Sequence, residues 1–352
     1  MKMLIGRDPA DTARRAAAWV AGRVKLALNA RGTFTVALAG GEGPRALYTH
    51  LAALGGALEP SRWEVFWGDE RVVPLNDARS NYGTGTALLT RPLGMADEKV
   101  HALAPPGLSA EAAAEASGRV LSERVGAPAV FDLVLLGVGK DGHTLSLYPG
   151  CPALAESARD VVALVNPPMD PAVDRVTFTP GVVHRARAVL VLAAGGAKTG
   201  PLAGVLARAG DLSAVPARVV RSATGEVLLA LDEAAAAGLS AQALRDGTLS
   251  EVRVWSAHEA TLGTLVRAWD ELETARGQCS LEAFEAEVSV LARQLLALRA
   301  TLWDENASLQ AVGDEALTSY ARVEENQRMI KHCTVLLGEM NATLGRTSLP
   351  SP

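Results

Sequence analysis

Phe131-Asp132-Leu133-Val134-Leu135-Leu136-Gly137-Val138-Gly139-Lys140-Asp141-Gly142-His143-Thr144-Leu145-Ser146-Leu147-Tyr148-Pro149-Gly150 changes character partway along. It begins as an unbroken apolar run, the pattern of a strand buried on both faces of a sheet. Three glycines, a lysine, an aspartate and a histidine then fall within seven residues. Open α/β sheets hold ligands just beyond the carboxyl ends of their strands. Glycines at such a place let the backbone approach a ligand closely. His143 is the side chain of this turn whose ordinary pKa suits proton transfer near neutrality, and Asp141 stands two residues before it. Gly137, Gly139 and Gly142 also match a dinucleotide fingerprint in spacing. That motif must open a helix, whereas this turn runs into Tyr148-Pro149-Gly150, so a nucleotide site is set aside.

Strand-then-polar-turn recurs on either side. Residues 33–39 are β-prone and end in Gly40-Gly41-Glu42-Gly43-Pro44, with a helix expected over 45–54. Residues 63–67 form a second strand, followed by Gly68-Asp69-Glu70-Arg71-Val72-Val73-Pro74 as a charged turn and a helix starting at Ser80-Asn81-Tyr82. Residues 188–194 form a buried strand ending in Gly195-Gly196-Ala197-Lys198, with a helix over 199–209. Further strands are expected at 100–103, 161–165, 175–179, 217–220 and 226–231. Helices are expected at 8–30, with Trp19, Val20, Val24 and Leu26 on its apolar face, at 109–125, where Ser109 is the N-cap, and at 232–237. Alternating strands and helices predict an α/β fold: a mostly parallel, Rossmann-like sheet with helices on both faces.

Past Gly238 glycine and proline become rare, which with 352 residues suggests two domains, 1–238 and 239–352. Trp255, Leu262, Leu265, Trp269 and Leu272 suggest an amphipathic helix. From Leu281 a heptad follows. One seam runs through Leu281, Val288, Leu295, Leu302, Leu309, Ala316, Val323, Ile330, Leu337 and Leu344. The other runs through Phe284, Leu291, Leu298, Glu305, Val312, Ser319, Asn326, Cys333 and Met340. The C-terminal region is therefore all-α: a coiled coil, or a helical hairpin turning at Gly313-Asp314. It is expected to pack on the first domain, to self-associate or to bind a protein partner. Net charge is −5, which speaks against bulk attraction to nucleic acid or membrane. Cys151, Cys279 and Cys333 show neither a disulfide framework nor a zinc spacing. The first residues lack a signal-peptide core and no run is long enough for a bilayer, so a cytoplasmic location is expected.

Five blocks in order carry a resemblance to the 6-phosphogluconolactonases, which belong with the glucosamine-6-phosphate deaminase type of enzyme. They are Ala39-Gly40-Gly41, 68–74 with Ser80-Asn81-Tyr82, the 131–150 stretch, Arg175-Val176-Thr177 and 195–198. The resemblance covers residues 8–237. It implies hydrolysis of 6-phospho-D-glucono-1,5-lactone without metal or organic cofactor. His143 would be the base, Asp141 would orient it, and Arg71 would steady the oxyanion or hold phosphate. Arg175 and Lys198, helped by the amides of Gly40 and Gly41, would bind phosphate. Asp69, Asn81, Gly139 and Lys140 complete the expected substrate site. The deaminase branch resembles this chain less, having tyrosine at Arg71 and asparagine-glutamate at Leu147-Tyr148. It remains an alternative: a sugar-phosphate isomerase or deaminase on the same fold. One departure stands out. The family usually has serine and threonine where Glu42 and Gly43 stand. A carboxylate beside a phosphate is repulsive unless it turns away or pairs with an arginine such as Arg45. Glu42 is the support for a third reading, a sugar-phosphate-sensing scaffold whose helices recruit a partner.

Overall fold

The computed structural model describes residues 1–278, 280–312 and 316–345. The chain divides into two compact units, Met1–Val252 and Arg253–Pro352.

The strands, in chain order, are β1 (Lys2–Gly6), β2 (Phe34–Leu38), β3 (Trp63–Trp67), β4 (Asp69–Arg71), β5 (Leu133–Gly137), β6 (Val161–Leu164), β7 (Arg175–Phe178), β8 (Ala188–Ala193), β9 (Glu226–Asp232) and β10 (Glu251–Val254). Seven of them form one sheet in the order β10-β1-β9-β8-β5-β2-β3, parallel from β1 through β3. Helices of this unit are α1 (Pro9–Arg31), α2 (Arg45–Leu54), α3 (Asn81–Gly85), α4 (Ala110–Arg124), α5 (Pro180–Arg185), α6 (Thr199–Leu206), α7 (Glu233–Ala236) and α8 (Gln242–Arg245). Every residue of β8 and all but the last of β5 are buried, as apolar strands covered on both faces must be. α1 shows how local chemistry sets an element. Asp8 caps it by accepting from the Asp11 N–H at 2.8 Å, Pro9 opens it, and Gly32 ends it at φ +76°. Its buried stripe is Ala13, Ala16, Ala17, Val20, Val24 and Ala27, while Leu26 is 54% exposed, outside the apolar face expected for it.

Several elements differ from the sequence reading. β1 lacks an apolar run long enough to stand out, and its place comes from pairing with β9. Of 100–103, Val100 alone pairs, in a single bridge to Val65. Residues 217–220 lie in a 3-10 helix, Pro216–Ser222, not a strand. Arg218 and Arg221, one turn apart there, both reach back to carbonyls at the end of α6: Gly204 and Ala207 from the first, Val205 and Leu206 from the second. They satisfy the acceptors a helix end leaves open. Asp69–Arg71 is a strand, not a turn. It joins β7 and β6 in a separate antiparallel sheet, β4-β7-β6. The change of composition at Gly238 marks the end of the glycine-rich loops, whereas the compact unit runs to Val252. Leu239, Ala241, Ala243 and Leu249 are buried within it, and β10 lies beside β1.

The second unit holds α9 (Glu259–Thr274), α10 (Leu281–Val312) and α11 (Leu317–Thr343). Contacts of α10 with α11 pair Arg299 with Thr334, Glu305 with Asn326 and Asn306 with Val323, so the two run antiparallel. The hairpin form is thus the one adopted; Gly313 and Asp314 lie outside the described residues. Both seams pack inward: Val288, Leu295, Leu302, Ile330 and Leu337 from one, Phe284, Leu298, Cys333 and Met340 from the other, with Leu262, Leu265, Trp269 and Leu272 of α9. Leu281 is 72% exposed, and Trp255 precedes α9 rather than belonging to it. Two of the three polar seam residues meet: Asn326 Nδ2 donates to Glu305 Oε2 at 3.2 Å. A paired polar contact inside such a seam fixes register. Among the described residues, no helix is long and apolar enough to cross a membrane.

Candidate active site

From β2 the chain proceeds outward to β3, and from β5 it proceeds the opposite way to β8 and β9. The crevice beyond the carboxyl ends of strands at such a switch point is the general ligand site of open α/β sheets. A cleft of about 770 Å³ lies there, lined by the loops after β2, β5 and β8 and by Pro168, Met169 and Asp170. A recess of about 130 Å³ shares Gly40, Gly41, His143, Met169 and Asp170 with the cleft, and adds Asp69, Arg71, Asn81 and Arg175. His143 stands where the two meet.

The turn that carries His143 is tightly built. Thr144 Oγ1 donates to the Gly137 carbonyl at 2.8 Å, and the Gly139 N–H donates to the His143 carbonyl at 2.7 Å. Gly142 closes it at φ +86°, a left-handed conformation that suits glycine. The imidazole lies against Gly139 so closely that a Cβ there would be 2.1 Å from Nδ1 and 2.5 Å from Asp141 Oδ1. Asp141 Oδ1 accepts from the His143 N–H at 3.1 Å and lies 2.6 Å from its Nδ1. Two residues apart in the chain, the carboxylate does reach the ring. A carboxylate can only accept, so this contact assigns the Nδ1 proton and leaves Nε2 with its lone pair. Burial works against the charge on Asp141. The main-chain N–H and imidazole of His143 outweigh it and hold the carboxyl below its ordinary pKa.

The recess is shaped by the small sheet. In the β4/β7 register Asp69 faces Thr177, Glu70 faces Val176 and Arg71 faces Arg175. Like charges directly opposite each other are costly, and here they concentrate positive potential. Arg71 donates from Nη1 to the Arg79 carbonyl at 2.5 Å, and its Nε is buried without a hydrogen-bond partner among the described residues. Arg175 is 2% exposed. It donates from Nη2 to the carbonyls of Asp170 and Pro171 at 3.0 and 3.2 Å, and its Nη1 lies 3.9 Å from Asp69. Burial above all lowers its pKa, and Arg71 adds to this while Asp69 opposes it. Arg175, a phosphate candidate from the sequence, is a buried charge in the recess wall. Asn81 donates to the Asp69 carbonyl at 2.8 Å. A Cβ on Gly40 would fall 1.9 Å from Asn81 Oδ1, so the loop after β2 touches α3 only because residue 40 has no side chain. Glu70 is structural. Its carboxylate accepts the N–H groups of Arg71, Asn81 and Tyr82 and the Ser80 hydroxyl, at 2.6 to 3.0 Å, covering the start of α3. Burial pushes its pKa up against those bonds.

Lys140 and Lys198 line the larger cleft. Lys198 Nζ donates to the Val138 carbonyl at 2.7 Å, and its pKa is lowered by burial first and by Lys140 second. Gly41 sits at φ +83° with open space around its Cα. Glu42 turns its carboxylate to solvent, 91% exposed, with Arg45 Nε 3.6 Å away. Both conditions for tolerating it beside an anion are met. Four further contributors carry no signal in the sequence. Ser146 Oγ donates to Asp69 Oδ2 at 2.6 Å and accepts from Arg175 at 3.4 Å. Met169 and Asp170 enter from the proline-rich turn. Asp232 accepts from the Gly195 N–H at 2.9 Å and the Ala235 N–H at 2.8 Å, fixing the loop that carries Lys198. Among the described residues, no group of three or more His, Cys, Asp or Glu side chains converges as a metal site requires.

The chain is similar to several known proteins. A rat 6-phosphogluconolactonase is 38% identical over 224 residues, which cover 62% of this chain and 86% of the rat protein. One from Streptomyces coelicolor is 35% identical over 252 residues, 68% of this chain and 94% of its own. The structure of 6-phosphogluconolactonase from Trypanosoma brucei is similar with a TM-score of 0.58 at 30% identity, covering 67% of this chain and 97% of that one. The family model "Glucosamine-6-phosphate isomerases/6-phosphogluconolactonase" matches residues 7–229, and the chain belongs to that family.

Proposed function

We propose that the chain hydrolyses 6-phospho-D-glucono-1,5-lactone to 6-phospho-D-gluconate, with His143 as the proton carrier. The observation that carries this reading is one imidazole whose Nδ1 is held by Asp141, placed between two cationic groups at the switch point of the sheet. The names and extents of the relatives support the same substrate.

A δ-lactone is an activated ester, so a positioned base and a cationic wall are enough. Nε2 of His143 takes a proton from water as its oxygen adds to the lactone carbonyl carbon. Negative charge develops on the carbonyl oxygen, which faces the recess and Arg71. Arg175 acts there through its field, not as an arm. Collapse breaks the bond to the ring oxygen, which takes the proton back from the imidazolium. The carboxylic acid produced loses its own proton to solvent. Asp141 keeps Nδ1 protonated and steadies the charged ring. Lys198 and Lys140, with the amides of Gly40 and Gly41, hold the phosphate in the cleft. Asp69 and Asn81 keep the recess in shape. The exposed, arginine-paired Glu42 leaves the cleft open to an anion, which favours the enzyme over the scaffold reading. Cys151 and Cys333 are free buried thiols, which suits a reducing cytoplasmic setting.

His143→Ala lowers lactone turnover at least about a hundredfold with the melting temperature kept. A near-normal rate in that folded variant refutes the assignment. Turnover of glucosamine 6-phosphate in place of the lactone would move the chain to the deaminase side.

A further inference from the structure

A second cleft, of about 570 Å³, opens between the start of α2, the 75–78 segment and the helical stretch from Tyr82 to Arg91. Its polar lining is cationic and under-used. The exposed Arg91 side chain makes no hydrogen bond or ion pair among the described residues. Arg45 has the single long contact to Glu42, 3.6 Å. Thr86 Oγ1 is buried without a hydrogen-bond partner among the described residues. The Tyr82 ring is held against Trp67, centroids 4.8 Å apart, and its hydroxyl makes no hydrogen bond among the described residues.

The one carboxylate in the lining does not cancel this charge. Asp77 accepts from Arg79 Nε at 2.9 Å, Nη2 at 2.7 Å and the main-chain N–H at 2.8 Å. Leu75, Ala87 and Leu88 supply an apolar wall. Two guanidiniums with a fixed fork geometry, next to free hydroxyls, match the oxygens of a phosphate. The apolar wall and a volume within the usual range for small-molecule sites suit an attached organic body. We propose that this cleft binds a small organic phosphate, at a site separate from the catalytic cleft. The occupant sits close to the catalytic groups, because Arg79, next to the 75–78 wall, carries the carbonyl that Arg71 uses.

The test uses phenyl phosphate, titrated into the full chain by calorimetry. The expected result is two sites. Arg91→Ala weakens one at least about tenfold, the scale of a lost hydrogen bond to a charged group. Thr86→Val weakens the same site, and Lys198→Ala weakens the other. Arg91→Ala keeps the wild-type melting temperature and the wild-type lactone turnover. Binding at one site only, or two sites both unmoved by Arg91→Ala and Thr86→Val, overturns the proposal. Either result is read without reference to turnover, so it stands apart from the fate of the lactonase assignment.

Discussion

Gly139→Ala tests the site through one methyl group. A Cβ at residue 139 would lie 2.1 Å from His143 Nδ1, 2.3 Å from Cε1 and 2.5 Å from Asp141 Oδ1, where ordinary contact begins near 3.4 Å. The imidazole must therefore retreat by about 1.3 Å, and its contact with Asp141 is strained at the same time. Misplacing a reacting group by about 1 Å costs on the order of a hundredfold in rate. Lactone hydrolysis followed by release of acid at neutral pH should show kcat/KM down about a hundredfold. The backbone at 139 is not in a left-handed conformation, so alanine itself adds no strain there. The loop borders solvent, and the melting temperature should barely move. Gly118→Ala is the control. It lies inside α4 with nothing within 4 Å of its Cβ position, and should raise stability by about 0.5–1 kcal/mol without changing the rate. Full activity in Gly139→Ala would refute the packing of ring against glycine and, with it, the fixed base.

Glu64 is buried, 2.6 Å from both Lys99 Nζ and His101 Nε2. Burial opposes its charge, but these partners hold its carboxyl below the ordinary value of 4.5. Its contribution is therefore complete above that ordinary value and lost as pH falls through the lower folded value. Glu64→Gln should cost about 1.5–3 kcal/mol in urea unfolding at pH 7, with the gap to wild type closing in acid. Glu42→Ser should lower the KM for the phosphorylated lactone about two- to fivefold at low salt and leave it unchanged in high salt, as expected for an exposed charge. A chain ending at Val254 should retain turnover, whereas one ending at Gly238 should melt lower, because it lacks β10 and the buried Leu239, Leu249 and Val252.

Much of this molecule is local. An apolar run ending in glycines announces β2, β5 and β8 and the loops after them, because periodicity and turn chemistry are set by neighbours in the chain. His143 beside Asp141 was legible for the same reason, as was the heptad of α10 and α11. Pairing across the chain was not. Arg71 opposite Arg175, Ser146 beneath Asp69, and Gly40 against Asn81 depend on which strands meet and in what register. Residues 217–220 look like a strand until the open carbonyls of α6 are seen to need Arg218 and Arg221. The direction of Glu42 is likewise a tertiary fact: the sequence places a carboxylate in the loop after β2, and only the fold turns it to solvent beside Arg45. Sequence determined β2, β3, β5 and β8, the loops after them and the placing of His143 beside Asp141, because each is written in contiguous residues. Tertiary structure decided how charge is distributed around that histidine, because electrostatic energy depends on distances between groups that the chain keeps far apart.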